Sequence, residues 1–489
     1  MSEPVHRLAD LLPPGLSAPA GTADLRITGL ALDSRKVRPG DLFAALPGVR
    51  TDGARFIASA VEAGAVAVLA PRGASARVPV IEAEDAPGAL AAMAARFHPA
   101  QPATIAAVTG TNGKSSTVEF LRQIWAAAGH EAACLGTLGV TRGSGRTEVG
   151  YTTPDAIALH RALDGLARDG VTHLAMEASS HGLKQRRMDG ARVTLAGFTN
   201  LTQDHLDYHP DFDDYFASKM RLFDALTAKG APAVVNVDSE WGERVAEGAR
   251  RVGLQVTTLG WRGHDLQIRE ITPRPASQLV RIVWRGHERE IDLPLLGEFQ
   301  AHNALGAALL AIASGVEPDQ AFGALEHLSG VAGRLQLAGV SAHGAPVLID
   351  YAHTPDGLDK LLRAARPHTN GRILLVFGAG GDRDPTKRAK MGAVAARLAD
   401  HIIVTDDNPR SEDPAAIRAA ILSACPHAEE IADRGEAVER AVDLLQPGDT
   451  LLIAGKGHET GQIVGEQIIP FDDSEAARAA LSNAEARRS

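Results

Sequence analysis

Short apolar segments alternate with segments of helical hydrophobic spacing over most of this chain. Between residues 103 and 335 the alternation is nearly regular. It predicts a mainly parallel sheet with helices on both faces. The predicted strands are Thr104–Val108, Ala132–Leu138, Val171–Met176, Val193–Phe198 and Ala233–Val237, and the predicted helices are Ser115–Ala128, Ala156–Asp169, Phe212–Ala228 and Glu240–Arg251.

The two ends of the chain differ from this central region. Before residue 99, short strands such as Ala65–Ala70 are separated by Gly and Pro turns, and the Pro-bearing stretch 98–102 resembles a linker. A more β-rich stretch, 255–300, precedes an apolar helix that begins near His302. We predict an α/β protein with three domains, at 1–99, 100–335 and 336–489, the last Rossmann-like. Its predicted strands are Val347–Ile349, Ile373–Phe377, His401–Thr405 and Thr450–Ala454.

Composition narrows the class of protein. With 489 residues the chain is too long for one core. Its 50 basic and 60 acidic residues give a net charge of −10, which disfavours nucleic acid as a partner. Cys134 and Cys425 have neither a metal-site spacing nor the pattern of a disulfide framework. The N-terminus lacks a signal-peptide core, and the longest apolar helical candidate, Ala304–Val316, is too short to span a bilayer. We expect a cytoplasmic monomer without membrane insertion.

Residues 108–116, Val-Thr-Gly-Thr-Asn-Gly-Lys-Ser-Ser, carry the most specific chemical signal. An apolar β-branched run precedes them and a helix-like segment follows them. A glycine turn between a strand and a helix lets backbone N–H groups converge on a phosphate. Lys114 can reach the outer phosphates, and the Ser115 hydroxyl can ligate Mg²⁺. Because Val108 stands where a full Walker A motif has glycine, a purely structural turn stays an alternative.

Three further groups have both a chemical and an ordinary interpretation. Glu177 ends a strand, where it is either a Mg²⁺ ligand or a solvent-exposed acid. The segment 204–209 packs Asp204, His205, Asp207 and His209 together, but its spacing matches no common metal motif and equally fits a capped turn. The helical position of Lys219 alone favours a solvated side chain.

Polar loops follow all four predicted strands of the last region. In open α/β sheets ligands bind beyond the carboxyl ends of the strands, so these loops are expected to share a cleft. Arg383 and Arg410 each place a guanidinium there, which suits recognition of a carboxylate or a phosphate. Ordinary turn chemistry is the alternative. The loops are Asp350–His353, Gly378–Asp384, Asp406–Arg410 and Gly455–Glu459.

In their order along nearly the whole chain, these motifs resemble the Mur ligase family. The shortened P-loop is the form that this family has. A single motif would be weak, but the ordered set is highly specific. It comprises Asp33-Ser-Arg, Gly110-Thr-Asn-Gly-Lys-Ser, Tyr151-Thr-Thr-Pro-Asp, Glu177-Ala-Ser-Ser-His-Gly, 200–209, 297–303, Asp350-Tyr-Ala-His, Gly380-Gly-Asp-Arg-Asp, Asp407-Asn-Pro-Arg and Gly455-Lys-Gly-His-Glu.

The resemblance implies three domains that bind, in order, a UDP-linked precursor, ATP and an amino acid. It implies an amide ligase of peptidoglycan precursor synthesis that joins meso-2,6-diaminopimelate to UDP-N-acetylmuramoyl-L-alanyl-D-glutamate. The terminal carboxylate of D-Glu would attack the γ-phosphate of ATP, and the amine would then displace phosphate from the acyl phosphate. Two anions must approach each other, so Mg²⁺ and Lys114 would offset their repulsion.

The resemblance also implies roles residue by residue. Catalytic roles fall to Lys114, Glu177, His205 and Lys219, and Mg²⁺ ligation to Ser115, Glu177, His205 and a carbamylated Lys219. The ATP site is assigned to Gly110, Thr111, Asn112, Gly113, Lys114, Ser115, Ser116, Asn303, Arg334 and Asp350. The UDP-precursor site is assigned to Ser34, Thr152, Thr153, Ser179, Gln185 and Arg187, and the diaminopimelate site to Arg383, Asp407, Asn408, Pro409, Arg410, Gly455 and Glu459.

Diaminopimelate carries a distal carboxylate that lysine lacks, and Arg410 would be its partner. With lysine this guanidinium would stay unpaired, which is the kind of difference that gives strong discrimination. The alternatives are a lysine-adding ligase, disfavoured by the Asp-Asn-Pro-Arg loop, and a folylpolyglutamate synthase, disfavoured by the first hundred residues. A P-loop nucleotide switch would leave the polar loops of the last region unexplained.

Overall fold

The computed structural model describes residues 5–48, 52–143, 145–147, 152–202 and 208–487. By the contacts among its residues the chain divides into two units. The first comprises Met1–Asp265 and Gly306–Ala321, and the second comprises Leu266–Leu305 and Phe322–Ser489. The three predicted domain boundaries stay a prediction. Among the described residues, no helix has both the length and the apolar character needed to cross a bilayer.

The first unit contains two groups of mainly parallel strands, a two-stranded antiparallel sheet formed by its first two strands, and several helices. Its strands are β1 (His6–Arg7), β2 (Arg26–Ile27), β3 (Gly29–Ala31), β4 (Asp41–Ala44), β5 (Ala67–Ala70), β6 (Val80–Glu82), β7 (Thr104–Thr109), β8 (Ala132–Gly136), β9 (Gly139–Arg142), β10 (Gly145–Thr147), β11 (His173–Glu177), β12 (Leu195–Phe198), β13 (Pro232–Asn236) and β14 (Gln255–Gly260). Its helices are α1 (Leu8–Leu11), α2 (Ile57–Glu62), α3 (Ala86–Phe97), α4 (Lys114–Ala127), α5 (Ala156–Arg168), α6 (Ser180–Lys184), α7 (Phe212–Arg221) and α8 (Glu240–Arg251).

The order of strands in the first unit puts the P-loop strand in the interior of a sheet. Strands β3, β4, β5 and β6 form a parallel sheet near the N-terminus. In the larger sheet β8, β11, β7, β12, β13 and β14 follow one another in parallel, and the antiparallel β9 and β10 extend it beyond β8. Strand β7 is flanked on both sides and buried throughout most of its length, which explains its nearly continuous apolar sequence.

The second unit contains an antiparallel group of strands and a separate sheet that is largely parallel. Its strands are β15 (Leu266–Pro273), β16 (Gln278–Trp284), β17 (His287–Leu293), β18 (Gln336–Val340), β19 (Pro346–Asp350), β20 (Ile373–Phe377), β21 (His401–Val404), β22 (Glu429–Glu430), β23 (Thr450–Ala454), β24 (Gly461–Val464) and β25 (Gln467–Pro470). Its helices are α11 (Pro355–Ala365), α12 (Thr386–Leu398), α13 (Pro414–Leu422), α14 (Arg434–Asp443) and α15 (Asp473–Ala486), while α9 (Glu298–Ala313) and α10 (Pro318–Gly323) contain the unit boundaries.

The six strands of the separate sheet lie in the order β18, β19, β23, β20, β21 and β22. All neighbours are parallel except β18 and β19. The carboxyl ends of β19, β20, β21 and β23 therefore lie at one edge of the sheet. Apolar clusters cover both faces: one includes Phe377 and Met391, and the other includes Val376 and Leu481. The predicted α/β class is confirmed.

Sequence periodicity located most elements but misplaced some of their ends. The helix predicted at Phe212–Ala228 is α-helical only to Arg221, and a π-helical turn, Leu222–Leu226, follows. The helix predicted to begin near His302 begins at Glu298. Hydrophobic spacing cannot distinguish an α-helix from a π turn that continues it, because both keep apolar residues on the buried side.

Candidate functional site

The loop after β7 has the backbone geometry of a phosphate cradle. Gly110 has a φ of 151° and Gly113 a φ of 85°, and α4 begins directly after Gly113. A Cβ on Gly110 would lie 1.9 Å from Oγ1 of Thr199, so no larger residue fits there. The N–H groups of the first turn of α4 have no partners within the helix and can bind an anion.

Neighbouring loops hold the P-loop in this shape. The backbone N–H of Asn112 donates to Oδ1 of Asn200 at 3.0 Å, and Oγ1 of Thr199 donates to the Asn112 carbonyl at 2.6 Å. The Thr111 hydroxyl lies 3.0 Å from that of Tyr215. The Lys114 ammonium donates to the carbonyls of Gly110 and Thr111, at 3.0 and 2.9 Å. These contacts define the shape of the loop, with Lys114 folded over it.

Ser115 and Glu177 meet beside the P-loop. The Ser115 hydroxyl donates to Oε1 of Glu177 at 2.8 Å, and the backbone N–H of Thr137 donates to the same oxygen at 2.8 Å. Glu177 is 1% exposed, so the interpretation as a solvent-exposed acid is wrong. A hydroxyl and a carboxylate are the hard oxygen ligands that Mg²⁺ binds, and these two residues fit such an ion.

Lys219 is buried against the P-loop and is not the solvated lysine that its local sequence favours. It is 1% exposed. Its Nζ donates to the Gly110 carbonyl at 2.8 Å and lies 4.4 Å from the centre of the Tyr215 ring. Tyr215 precedes Lys219 by one turn of α7, so one helical face delivers both side chains to the loop. Tyr215 was not among the predicted site residues. Its position four residues before Lys219 in a predicted helix was the available indication that the two side chains share a face.

His205, with Asp204 and Asp207, lies outside the described residues. Within the described part of the chain no three His, Cys, Asp or Glu side chains converge as a metal cluster. His209 serves a different contact: its ring nitrogens lie 2.6 Å from Oδ2 of Asp214 and 3.0 Å from Oγ of Ser180.

Five of the residues predicted to contact the UDP precursor are connected by hydrogen bonds to the end of β11. The Thr153 hydroxyl donates to the Glu177 carbonyl at 3.1 Å and accepts from the Ser179 hydroxyl at 3.0 Å. The Arg187 guanidinium donates to the Thr153 carbonyl at 2.7 Å and to Oε1 of Gln185. The Thr152 hydroxyl lies 3.0 Å from that of Thr137, whose backbone N–H binds Glu177. Ser34 lies in a separate 3-10 turn, Ser34–Lys36.

In the second unit, the three residues predicted to contact the adenine nucleotide are linked through hydrogen bonds. Asn303 donates to Oε1 of Gln300 at 3.0 Å, and Gln300 donates to the Arg334 carbonyl. The carboxylate of Asp350 accepts from the N–H groups of Leu335 and Ala352, at 2.8 and 2.9 Å. Desolvation raises the pKa of Asp350 in spite of these two donors. Gln300, which sequence analysis did not single out, connects the set.

The loops after β20, β21 and β23 converge as the sequence predicted. Nδ2 of Asn408 donates to Oε2 of Glu459 at 2.7 Å, which joins residues far apart in sequence. Nη1 of Arg410 donates to the Gly381 carbonyl at 2.7 Å. A Cβ on Gly455 would lie 2.5 Å from Oδ2 of Asp407, so glycine is required where these two loops touch.

The remaining predicted residues of this region differ in exposure. Asp407, Asn408 and Pro409 are buried, Arg410 and Glu459 are partly exposed, and Arg383 is exposed. Arg410 has a φ of 53°, a left-handed conformation uncommon for a side chain of this size. Sequence analysis missed two buried cations of this region, Lys456 and Arg434, because isolated basic residues in a sequence are ordinarily solvated.

Comparisons with known proteins identify the family. Three family models match: Mur ligase family, catalytic domain, at residues 26–98; Mur ligase middle domain at 108–311; and Mur ligase, glutamate ligase domain, at 333–457. The UDP-N-acetylmuramoyl-L-alanyl-D-glutamate--2,6-diaminopimelate ligase of Bradyrhizobium diazoefficiens is 51% identical, over 98% of this chain and 99% of that protein. This chain belongs to the Mur ligase family.

Other members extend the comparison. The protein of the same name from a Chelativorans species is 52% identical to this Mur ligase, over 97% of this chain and 98% of the relative. A solved structure of a UDP-N-acetylmuramoyl-L-alanyl-D-glutamate--2,6-diaminopimelate ligase superimposes with a TM-score of 0.77 at 30% identity, covering 99% of this chain and all of the other. The predicted family is therefore confirmed over the whole length of the chain.

Proposed function

We propose that this Mur ligase joins meso-2,6-diaminopimelate to UDP-N-acetylmuramoyl-L-alanyl-D-glutamate at the expense of ATP, through an acyl-phosphate intermediate in cytoplasmic peptidoglycan precursor synthesis. Near-identical length and about half-identical sequence to ligases of that name support the proposal. The observation that carries it is the convergence of Asn408, Arg410 and Glu459 at the strand ends of the second unit. A nucleotide switch would need no such site.

ATP binding is assigned to the P-loop of the first unit. The N–H groups at the start of α4 would hold the phosphates, and Lys114 would exchange its two carbonyl partners for phosphate oxygens. An ammonium in that place reduces the repulsion between the attacking D-Glu carboxylate and the γ-phosphate. The carboxylate oxygen then forms the new bond to phosphorus as ADP leaves.

Ser115 and Glu177 are the residues we assign to Mg²⁺, together with His205. Bound Mg²⁺ would neutralise phosphate charge during transfer. Lys219 is assigned as a carbamate, an anion that could ligate a second ion. Its position against Gly110 supports a role at the nucleotide. An unmodified ammonium can only donate hydrogen bonds, so ligation of a cation requires the carbamate.

The amino acid is assigned to the second unit. The amine of diaminopimelate attacks the acyl carbonyl, phosphate leaves, and the amide forms. Arg410 keeps one N–H on the Gly381 carbonyl, which fixes the guanidinium and leaves further donors for the distal carboxylate. Lysine would leave those donors unpaired, so we propose that the enzyme prefers diaminopimelate. We also propose that the protein is a monomer.

The proposal is tested by phosphate release from ATP with Mg²⁺ and the UDP-linked dipeptide, comparing meso-diaminopimelate with L-lysine. We expect release with diaminopimelate and a product with the mass of the UDP-linked tripeptide. Preference for lysine would discard the role of Arg410 but keep the ligase. Release that depends on neither amino acid would support a nucleotide switch.

A further inference from the structure

Lys456 is a fully buried lysine beneath the proposed amino-acid site. It follows β23 in the loop 455–459, and its side chain is 0% exposed. Its Nζ donates to the Gly461 carbonyl at 2.6 Å, to Oδ1 of Asn408 at 3.2 Å and to Oε2 of Glu459 at 3.3 Å. An ammonium has three N–H donors, so these three acceptors use all of them. We call Lys456, Asn408, Glu459 and Gly461 the buried-lysine network.

The network joins two segments of the second unit that are far apart in sequence. Asn408 belongs to the loop after β21, Glu459 to the loop after β23, and Gly461 begins β24. Oδ1 of Asn408 also accepts from the backbone N–H of Ile463 at 2.9 Å. The Ile463 carbonyl in turn accepts from the backbone N–H of Arg410 at 3.0 Å. The Lys456 ammonium is thus connected to the backbone that carries the Arg410 guanidinium.

Lys456 and the backbone N–H of Ile463 together determine which way the Asn408 amide faces. A lysine ammonium and a backbone N–H can only donate, so the atom between Lys456 and Ile463 must be the amide oxygen. The amide nitrogen then faces Glu459, to which it donates at 2.7 Å. Oε2 of Glu459 is therefore bound on two sides, by Asn408 and by Lys456, while its side chain is 33% exposed. This leaves Oε1 as the oxygen that can meet a ligand.

We propose that Lys456 is a positioning residue that sets amino-acid affinity and discrimination without touching the amino acid. It holds Asn408 in one orientation, directs Glu459 towards the ligand and, through Ile463, steadies Arg410. Without the ammonium, the Asn408 oxygen keeps only the Ile463 N–H as a donor, and Glu459 loses a charged partner. The inference rests on the proposed function, because it deepens the role of the same site.

A purely structural role predicts a different result. If Lys456 only stabilised the fold, its replacement would lower the unfolding temperature and the fraction of active enzyme, so kcat would fall for every substrate alike. A positioning role predicts a rise in the KM for one substrate only. The residues predicted to contact the UDP-linked dipeptide all belong to the first unit, so the KM for that substrate serves as an internal reference.

The experiment compares the unaltered enzyme with Lys456→Met, Lys456→Arg and the control Lys360→Met. Lys360 lies on α11 in an exposed ion pair with Asp356, and its loss is expected to change little. For Lys456→Met we expect the KM for diaminopimelate to rise by roughly tenfold to a hundredfold, the range of one lost charged hydrogen bond. The KM for the UDP-linked dipeptide should stay within about twofold of its value in the unaltered enzyme, and the preference for diaminopimelate over lysine should narrow. Lys456→Arg, which keeps the charge, should recover part of the affinity.

A second measurement does not depend on catalytic activity. Hydrogen exchange of the Asn408 side-chain amide, followed by NMR, should be slow in the unaltered protein and faster in Lys456→Met. If Lys456→Met does not fold, Lys456→Gln, which keeps one donor for the Gly461 carbonyl, takes its place in both measurements. A folded variant whose KM for diaminopimelate is unchanged, or in which all KM values rise together, would overturn the proposal. If phosphate release by the unaltered enzyme did not depend on an amino acid, the proposed function itself would be wrong.

Discussion

The P-loop of the first unit and the strand-end site of the second unit are built in different ways. Contiguous residues form the P-loop, and backbone geometry shapes it, with Gly110 and Gly113 at positive φ. Three loops form the strand-end site, and side chains hold them together, with buried cations between them. A site of the first kind depends mainly on local sequence, whereas one of the second kind depends on side-chain contacts between loops that are far apart in sequence.

Replacing Arg410 by alanine is expected to have the largest effect on the strand-end site. The guanidinium is the proposed partner of the distal carboxylate, so kcat/KM for diaminopimelate should fall by about a thousandfold or more. The affinity for ATP, measured by nucleotide titration, should stay nearly unchanged. Arg397→Ala is the matched control, because Arg397 forms an exposed pair with Asp359 in the same unit. Full diaminopimelate activity in Arg410→Ala would contradict the assignment.

The variant Lys114→Met tests the other member of the comparison, the P-loop of the first unit. Loss of the ammonium that stabilises transferring phosphate should lower kcat by roughly a hundredfold to a thousandfold. The KM for diaminopimelate should change little, because the strand-end site remains intact. Lys229, an exposed lysine of the first unit, offers Lys229→Met as the control. If kcat fell equally in Lys114→Met and Lys229→Met, the proposed role of Lys114 in phosphate transfer would be wrong.

The variant Arg434→Met tests whether the buried ion pair between Arg434 and Asp473 stabilises the second unit. The Arg434 guanidinium and the Asp473 carboxylate are both 0% exposed and lie 2.7 Å apart, and Arg434 also donates to the Ala454 carbonyl at the end of β23. Burial opposes the charged form, but Asp473 raises the pKa of Arg434 above its ordinary value. Removing Arg434 leaves Asp473 unpaired and should cost about 3–5 kcal/mol in the free energy of unfolding.

Denaturant unfolding of Arg434→Met, monitored in the second unit, measures this loss. The double variant Arg434→Met with Asp473→Leu should recover part of it, since no unpaired carboxylate then stays buried. Equal stability of the single variant and the unaltered protein would show that the pair does not support this unit.

A smaller effect is expected from pH on the stability of the first unit, through the buried imidazole of His160. Burial lowers the pKa of His160 to about 4, although the Asp189 carbonyl accepts a hydrogen bond from its ring. Below pH 6.5 the unfolded chain binds a proton that the folded chain does not, so stability is lost as pH falls towards 4. From pH 7 to pH 5 the loss should be on the order of 1–2 kcal/mol.

Replacing His160 by Gln should remove this component of the pH dependence. Urea unfolding at the two pH values measures it, with the signal from the first unit. Arg434 should contribute little over the same range, because an arginine stays protonated. An unchanged pH slope in His160→Gln would contradict the assignment to this imidazole.

The contrast between the two sites explains how much could be predicted from sequence. The α/β order, β7, the glycine turn and α4 follow from hydrophobic period and glycine spacing, which act over neighbouring residues. The convergence of the strand-end loops followed from parallel topology. The placement of Lys219 against Gly110 was not predictable from its own helix, because only tertiary packing decides whether a lysine is buried. Lys456 and Arg434 were missed for the same reason.

The central claim is that an oxygen of the D-Glu carboxylate attacks ATP and later leaves with phosphate. The most direct measurement labels that carboxylate with ¹⁸O and determines the isotope content of the phosphate released in the presence of ATP, Mg²⁺ and diaminopimelate. Transfer of one labelled oxygen from each precursor to phosphate is the predicted result, because the acyl phosphate keeps that oxygen on phosphorus. Unlabelled phosphate would show that water attacks ATP, and would contradict the account.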